Sequence, residues 1–328
     1  MKKIINDPNQ VVQDMIRGMI AAFPGNLKQI PETMGIAVKN APIANKVGIV
    51  SGGGSGHEPA HAGFVGKGLL DAAVAGEVFT SPTPDQLLEA IKAVDGGAGV
   101  FLVIKNYTGD VLNFEMAAEL AEAEGIQVEQ VVVNDDVAVE DIPSRRGIAG
   151  TVFVHKIVGA KAAGGGSLEK IKAVADKVVA NVRSMGVALH PCTVPAAGKP
   201  SFELEENEME IGIGIHGEPG IEKKEITSAD EIAIELTDKI LADIALDAKD
   251  EVAVMVNGLG ATPEMELFIV NAKVQEKLKE KGINVYKTFV GEYMTALEMA
   301  GCSISLLKLD DELKTLLDQE ANAPAFRS

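Results

Sequence analysis

The chain has 328 residues, 46% of them hydrophobic, and 34 glycines; this is the profile of a packed globular protein and excludes a disordered one. Its formal charge of −18 would be repelled by nucleic acid and by anionic membrane, which argues against both as partners. No stretch reaches the ~20 apolar residues that span a bilayer. The first residues form no signal peptide, and Cys192 and Cys302 form no paired motif, so a reducing cytoplasm is the expected compartment.

Asp7-Pro8 reads as a helix start, followed by Val11, Val12, Met15, Ile16, Met19 and Ile20 at helical spacing and a stop near Pro24-Gly25. Val47–Val50 is a short apolar strand that runs into Ser51-Gly52-Gly53-Gly54-Ser55-Gly56-His57. A helix from about Pro59 to Leu70 is expected next. Thr83-Pro84 opens another, to about Val94. Val100–Ile104 is a fully apolar strand ending in Lys105-Asn106-Tyr107-Thr108-Gly109-Asp110, with a helix on to Glu124 and a strand at Val128–Val133. Helices are expected over 149–163 and 167–185. Glu210–His216 reads as a strand, followed by helix 228–246, strand 251–256, helix 263–281 and strand 283–289. Apolar strands alternating with helices of ten or more residues indicate α/β architecture. The expectation is two α/β domains, with largely parallel or mixed sheets covered by helices. Residues 1–185 would form the first domain and 186–328 the second, with the site in the cleft between loops of both.

Three motif matches fail on context. His57-Glu58-Pro59-Ala60-His61 spells a zinc-protease motif, but that motif needs both histidines on one helical face, and Pro59 drives Glu58 away from helical angles. Gly212-Ile-Gly-Ile-His-Gly217 spells a dinucleotide fingerprint but is followed by Glu-Pro-Gly and no helix. Around Gly66-Lys67 a phosphate-loop pattern lacks its first glycine and its Ser or Thr.

What survives is a pair of loops at the carboxyl ends of two strands, the edge where open α/β sheets bind ligands. Glycines at 52–54 and 56 let backbone N–H groups approach an oxygen-rich molecule. His57 can move a proton near neutrality, while Lys105 offers a cation and Asp110 a carboxylate. On these residues alone a polar pocket for a small hydroxylated molecule and a helix-capping turn are equally good readings. His216, between two glycine-rich segments, has little to pack against, and a neutral imidazole nitrogen can add to an electrophilic carbonyl. His61, His155 and His190 are read as structural. Gly56-His57-Glu58-Pro59 is echoed by His216-Gly217-Glu218-Pro219, too briefly to establish duplication.

The stretches SGGGSGHEPAHAG (51–63), EVFTSPTPDQL (77–87), KNYTGDVLNFEMA (105–117), DVAVED (136–141), RGIAGTV (146–152) and TVPAAGKPSFELEENEMEIGIGIHGEPG (193–220) closely resemble the substrate-binding subunits of dihydroxyacetone kinases. The resemblance runs in order along nearly the whole chain. It implies a homodimer that binds dihydroxyacetone as a hemiaminal on His216, with Gly54, Ser55, Gly56, His57, Lys105 and Asp110 around the substrate. Asp110 would accept the proton of the attacking hydroxyl and His57 would assist hemiaminal formation. No cofactor is expected on this chain. ADP and Mg2+ would sit on a separate helical kinase subunit, recharged by a phosphocarrier fed from phosphoenolpyruvate, and the chain would be inactive alone. One departure stands out: only Ile142-Pro143-Ser144 separates the DDVAVED motif from RRG, where many relatives carry a longer segment. The resemblance therefore admits two versions, a kinase subunit or a non-catalytic co-activator that engages a transcriptional regulator. It also leaves open a four-carbon ketose in place of dihydroxyacetone.

Overall fold

The structure is a computed structural model that describes residues 2–328. The first half contains α1 (Val11–Ala22), β1 (Leu27–Gln29), β2 (Gly35–Val38), β3 (Gly48–Ser55), β4 (Ala72–Val78), α2 (Pro84–Val94), β5 (Val100–Lys105), α3 (Thr108–Ala123), β6 (Val128–Val133), α4 (Thr151–Ala163) and α5 (Leu168–Asn181). Then follow β7 (Val182–His190), β8 (Glu208–Ile211), β9 (Glu222–Glu225), α6 (Ala229–Asp243), β10 (Glu251–Gly258), α7 (Glu264–Glu280), β11 (Asn284–Gly291), β12 (Ala300–Leu309), α8 (Asp311–Asp318) and a short pair, β13 (Asn322–Ala323) and β14 (Phe326–Arg327).

Two six-stranded sheets result, ordered β1-β2-β4-β3-β5-β6 and β11-β10-β12-β7-β8-β9. In the first, β4, β3, β5 and β6 run parallel and β1 and β2 are antiparallel additions. In the second, only β10 and β11 are parallel. The fold is thus the expected mixed α/β architecture. β5 is buried along its whole length, as a central strand covered on both faces must be. α2 packs with α3, and α4 with α5, on the first sheet, while α6 packs with α7 on the second; α5 also reaches β12 and so touches both sheets.

α4 is buried almost all round, from Thr151 to Ala162, and this explains why it carries no polar face. Its Gly159 lies against the backbone of Leu69, where a Cβ has no room. Lys156, buried in the same helix, donates to the carbonyls of Leu316 and Gln319 at 2.8 and 2.7 Å. These are the free carbonyls at the end of α8. The C-terminal segment accordingly returns to the first core, where Leu313, Leu317 and Phe326 pack with Phe64 and Phe153. The second sheet starts at Val182, so the boundary placed near 186 runs through β7.

Several expected elements are corrected. The helix over 59–70 is absent: only a short 3-10 turn at Ala62–Phe64 forms. Gly63, Gly66 and Gly68 here lie against the 320–325 segment, with which Lys67 pairs through Asn322. The helix over 167–185 ends at Asn181, because Val182–His190 is claimed by the second sheet. The strand over 210–216 ends at Ile211, and Gly212 turns the chain with φ +77°. β12, central to the second sheet, was not anticipated.

Candidate active site

β3 and β5 are parallel neighbours, so their carboxyl ends open on one edge. The glycine run is the last half of β3 itself, a strand and not a loop. β5 ends on Lys105, and Asp110 lies in the first turn of α3, where helix N–H groups favour a carboxylate. Both side chains are buried, with Lys105 Nζ 3.8 Å from Asp110 Oδ2. Lys105 Nζ has no hydrogen-bond partner, its contact with Asp110 being too long for one. Burial pushes its ammonium down, against the pull of Asp110 and Glu218. A Cβ on Gly53 would stand 3.1 Å from that Nζ and 3.4 Å from Asp110 Oδ2. The missing side chain at 53 is what keeps their meeting point clear.

From the second half of the chain, the turn after β8 brings His216 to His57. Their Nε2 atoms are 3.0 Å apart. His57 Nδ1 donates to the Thr295 carbonyl at 2.8 Å, and the Thr295 N–H donates to the His57 carbonyl at 3.1 Å. His216 Nδ1 donates to Glu218 Oε1 at 2.8 Å, and the His216 backbone N–H to Glu218 Oε2 at 2.9 Å. Aromatic rings wall the pair. Phe79 stacks on His57 with centroids 5.2 Å apart, and both Phe79 and Tyr107 stand edge-on to His216 at 5.2 and 4.6 Å. Phe79 holds φ +57°, a costly conformation for a bulky residue that persists where the surroundings fix it.

This enclosure tunes the groups. Burial, then the charges of Lys105 and His216, push His57 well below the ordinary imidazole range. Burial pulls Glu218 upward, but its bonds with His216 outweigh that and hold the carboxyl at about 2. Burial pushes the Tyr107 hydroxyl well up. Behind Lys105, Ser51 Oγ donates to the Val103 carbonyl at 2.7 Å and meets His61 Nδ1 at 3.3 Å and His155 Nε2 at 3.2 Å. His57 and His61 therefore diverge, and no three His, Cys, Asp or Glu among the described residues are gathered to hold a metal ion.

His155 carries a stability prediction. Burial, then Lys105, push it down to about 3, so the folded chain keeps it neutral while the unfolded chain binds a proton below about 6.5. Its contribution is whole above about pH 6.5 and is lost as the pH falls toward 3, by about 1.4 kcal/mol per pH unit. In urea titrations across that window, His155→Gln should flatten the pH dependence by this one-proton slope. An unchanged slope would show that His155 is charged in the native state.

Of the residues singled out from sequence, His57, Lys105, Asp110 and His216 converge. Gly54, Ser55 and Gly56 adjoin them in other ways. Ser55 Oγ is spent on the Gly76 carbonyl at 2.7 Å, Gly54 lies against the backbone of Phe79 and Thr80, and the Gly56 carbonyl accepts from Leu297 N–H at 2.6 Å. Phe79, Tyr107, Glu218 and Thr295 were missed, and Gly53, read only as part of the glycine run, is the glycine that lies against Lys105 and Asp110. The GHEP and HGEP echo held a signal for one of them: Glu58 and Glu218 each accept the backbone N–H two residues upstream, of Gly56 and His216. Thr295 left no sequence signal.

A profile of the Dak1 domain matches residues 17–325. The chain belongs to the Dak1 family. The Dak1 chain is 56% identical over 315 residues to a Listeria innocua protein named PTS-dependent dihydroxyacetone kinase 1, dihydroxyacetone-binding subunit DhaK, with 95% of each covered. It is 38% identical to a solved structure described as the dihydroxyacetone kinase operon co-activator Dha-DhaQ, with a TM-score of 0.90 and 98% of each chain covered. It is also 37% identical to the dihydroxyacetone kinase of C. freundii, with a TM-score of 0.93, covering 100% of this chain and 60% of that one. No described helix is long and apolar enough to cross a membrane.

Proposed function

We propose that this Dak1 chain is the dihydroxyacetone-binding subunit of a phosphoenolpyruvate-dependent kinase and captures the ketose as a hemiaminal on His216. The observation that carries this reading is the 3.0 Å approach of His57 Nε2 to His216 Nε2, beside Lys105, which has no hydrogen-bond partner, and its ion-pair neighbour Asp110. One nitrogen is placed to add to a carbonyl, and the other to pass a proton to the oxygen. A bond to the carbonyl carbon selects ketones over glycerol and fixes a small molecule whose contacts alone orient it poorly. Lys105 would accept the ketose oxygen as a hydrogen-bond partner. Asp110 would take the proton of the hydroxyl that becomes phosphorylated, where positioning supplies most of the catalysis.

ADP and Mg2+, which supply the phosphoryl group, are placed in this reading on a helical partner subunit recharged by a phosphocarrier, and the chain acts as a cytoplasmic homodimer. The co-activator structure, matched over 98% of both chains, favours a second reading in which the loaded chain engages a transcriptional regulator. Mixing the chain with the ADP-bearing and phosphocarrier subunits of a related system, phosphoenolpyruvate and dihydroxyacetone separates the two. Dihydroxyacetone phosphate forms if the kinase reading holds; ketose-dependent retention of a regulator without any product establishes the second.

A further inference from the structure

Glu218 stands outside every role assigned so far, yet both of its oxygens are committed to His216. Oε1 accepts from Nδ1 and Oε2 from the backbone N–H. The loop is shaped for this. Gly214 N–H donates to the Glu218 carbonyl at 3.0 Å, and a Cβ on Gly214 would strike Glu218 Oε2 and stand 2.7 Å from Arg146 Nη1. Arg146 closes the loop from the other half of the chain, donating to the Gly212 carbonyl at 2.7 Å and the Pro219 carbonyl at 3.4 Å. Asp136 anchors its guanidinium at 2.7 Å.

Proton placement then follows from the acceptors. The Thr295 carbonyl only accepts, so His57 Nδ1 carries a hydrogen. The Glu218 carboxylate only accepts, so His216 Nδ1 carries one too. A hydrogen bond across the 3.0 Å between the two Nε2 atoms requires one further proton, held by one ring and accepted by the other. With that proton present the pair holds three N–H protons and one positive charge, opposite the carboxylate of Glu218.

We propose that Glu218 is the positioning residue that fixes His216 with its hydrogen on Nδ1, so that Nε2 faces the ketone, and that its carboxylate is the counter-charge of the adduct. This rests on the covalent reading above. As the Nε2 lone pair forms the C–N bond, the C=O π pair moves to oxygen, which takes the shared proton through His57 Nε2. The adduct ring keeps Nδ1–H and becomes an imidazolium, while His57 is left neutral. The positive charge has moved from the histidine pair to the adduct, and Glu218 neutralises it before and after. No proton is exchanged with solvent.

The test uses the full-length chain and dihydroxyacetone labelled with carbon-13 at the carbonyl. In wild type the ketone signal moves to the tetrahedral carbon region on binding. In Glu218→Gln the adduct constant should fall by about 100-fold or more, the scale of losing one member of a hydrogen-bonded charge pair. Nitrogen-15 histidine spectra of the ketose-free chain should show the His216 hydrogen leaving Nδ1. Glu218→Asp, which keeps the charge, should restore part of the adduct. If Glu218→Gln forms the adduct as readily as wild type, or weakens it with His216 still protonated on Nδ1, the inference is overturned while the covalent reading stands. If wild type itself shows no tetrahedral signal, the covalent reading falls and takes the inference with it.

Discussion

His216→Asn is expected to abolish the covalent signal entirely, leaving labelled dihydroxyacetone as a free ketone at any concentration tested. Its preference for the ketose over glycerol should collapse with it. Asparagine retains a polar side chain in the turn but has no nitrogen lone pair able to add to a carbonyl, so what remains is hydrogen bonding from Lys105 and Asp110, which glycerol satisfies equally well. A second consequence tests the electrostatics. With its Nδ1–H partner gone, Glu218 is no longer held at about 2 and should titrate toward the ordinary glutamate value of about 4.3, or above it through burial. Because a depressed carboxyl contributes stability above its unfolded value and loses it as the pH falls through the folded one, wild type should shed that contribution between about pH 4.3 and 2. His216→Asn should lack this acid step. Capture unchanged in strength and selectivity would refute the assignment of His216 as the nucleophile.

Which parts of this site were legible in the sequence depends on whether a residue's role is set by its own neighbours or by distant ones. β5 and α2 were read within a residue or so because a continuous apolar run, and a Thr-Pro start, act locally. His57, Lys105 and Asp110 follow from two strands ending at one edge. The failures are non-local. Residues 59–70 include Gly63, Gly66 and Gly68, which already weaken a helix, and what fixes them instead is the C-terminal segment some 260 positions away in sequence. β12 is the exception: Ser303 and Ser305 alternate with Cys302, Ile304 and Leu306 at the period of a strand, a local signal left unread. Both hydroxyls prove to be paired in the interior, Ser305 with Ser184 and Ser303 with Asn257. Thr295 contributes a backbone carbonyl, which no side chain advertises. Glu218 was visible as half of a repeated His, Gly, Glu, Pro cluster, but its meaning needed the two oxygens to be seen on one histidine.

Asp110→Asn should separate capture from transfer. The amide is nearly isosteric with the carboxylate and keeps the first turn of α3, so the tetrahedral adduct signal on His216 should persist. Turnover with the reconstituted kinase subunits should fall by roughly 10²- to 10⁴-fold, the contribution of a positioned general base. The structural side effect points the same way. Lys105 is fully buried and has Asp110 as its ion-pair partner at 3.8 Å, so neutralising Asp110 removes the nearest group that favours its ammonium form. The variant should therefore be somewhat less stable, with Lys105 more easily deprotonated. Thermal melts report that loss independently of turnover. A chain that keeps full turnover removes Asp110 from the proton transfer. One that loses the adduct as well shows that the carboxylate serves in holding the ketose, and the division of labour between the two halves of the cleft must then be redrawn.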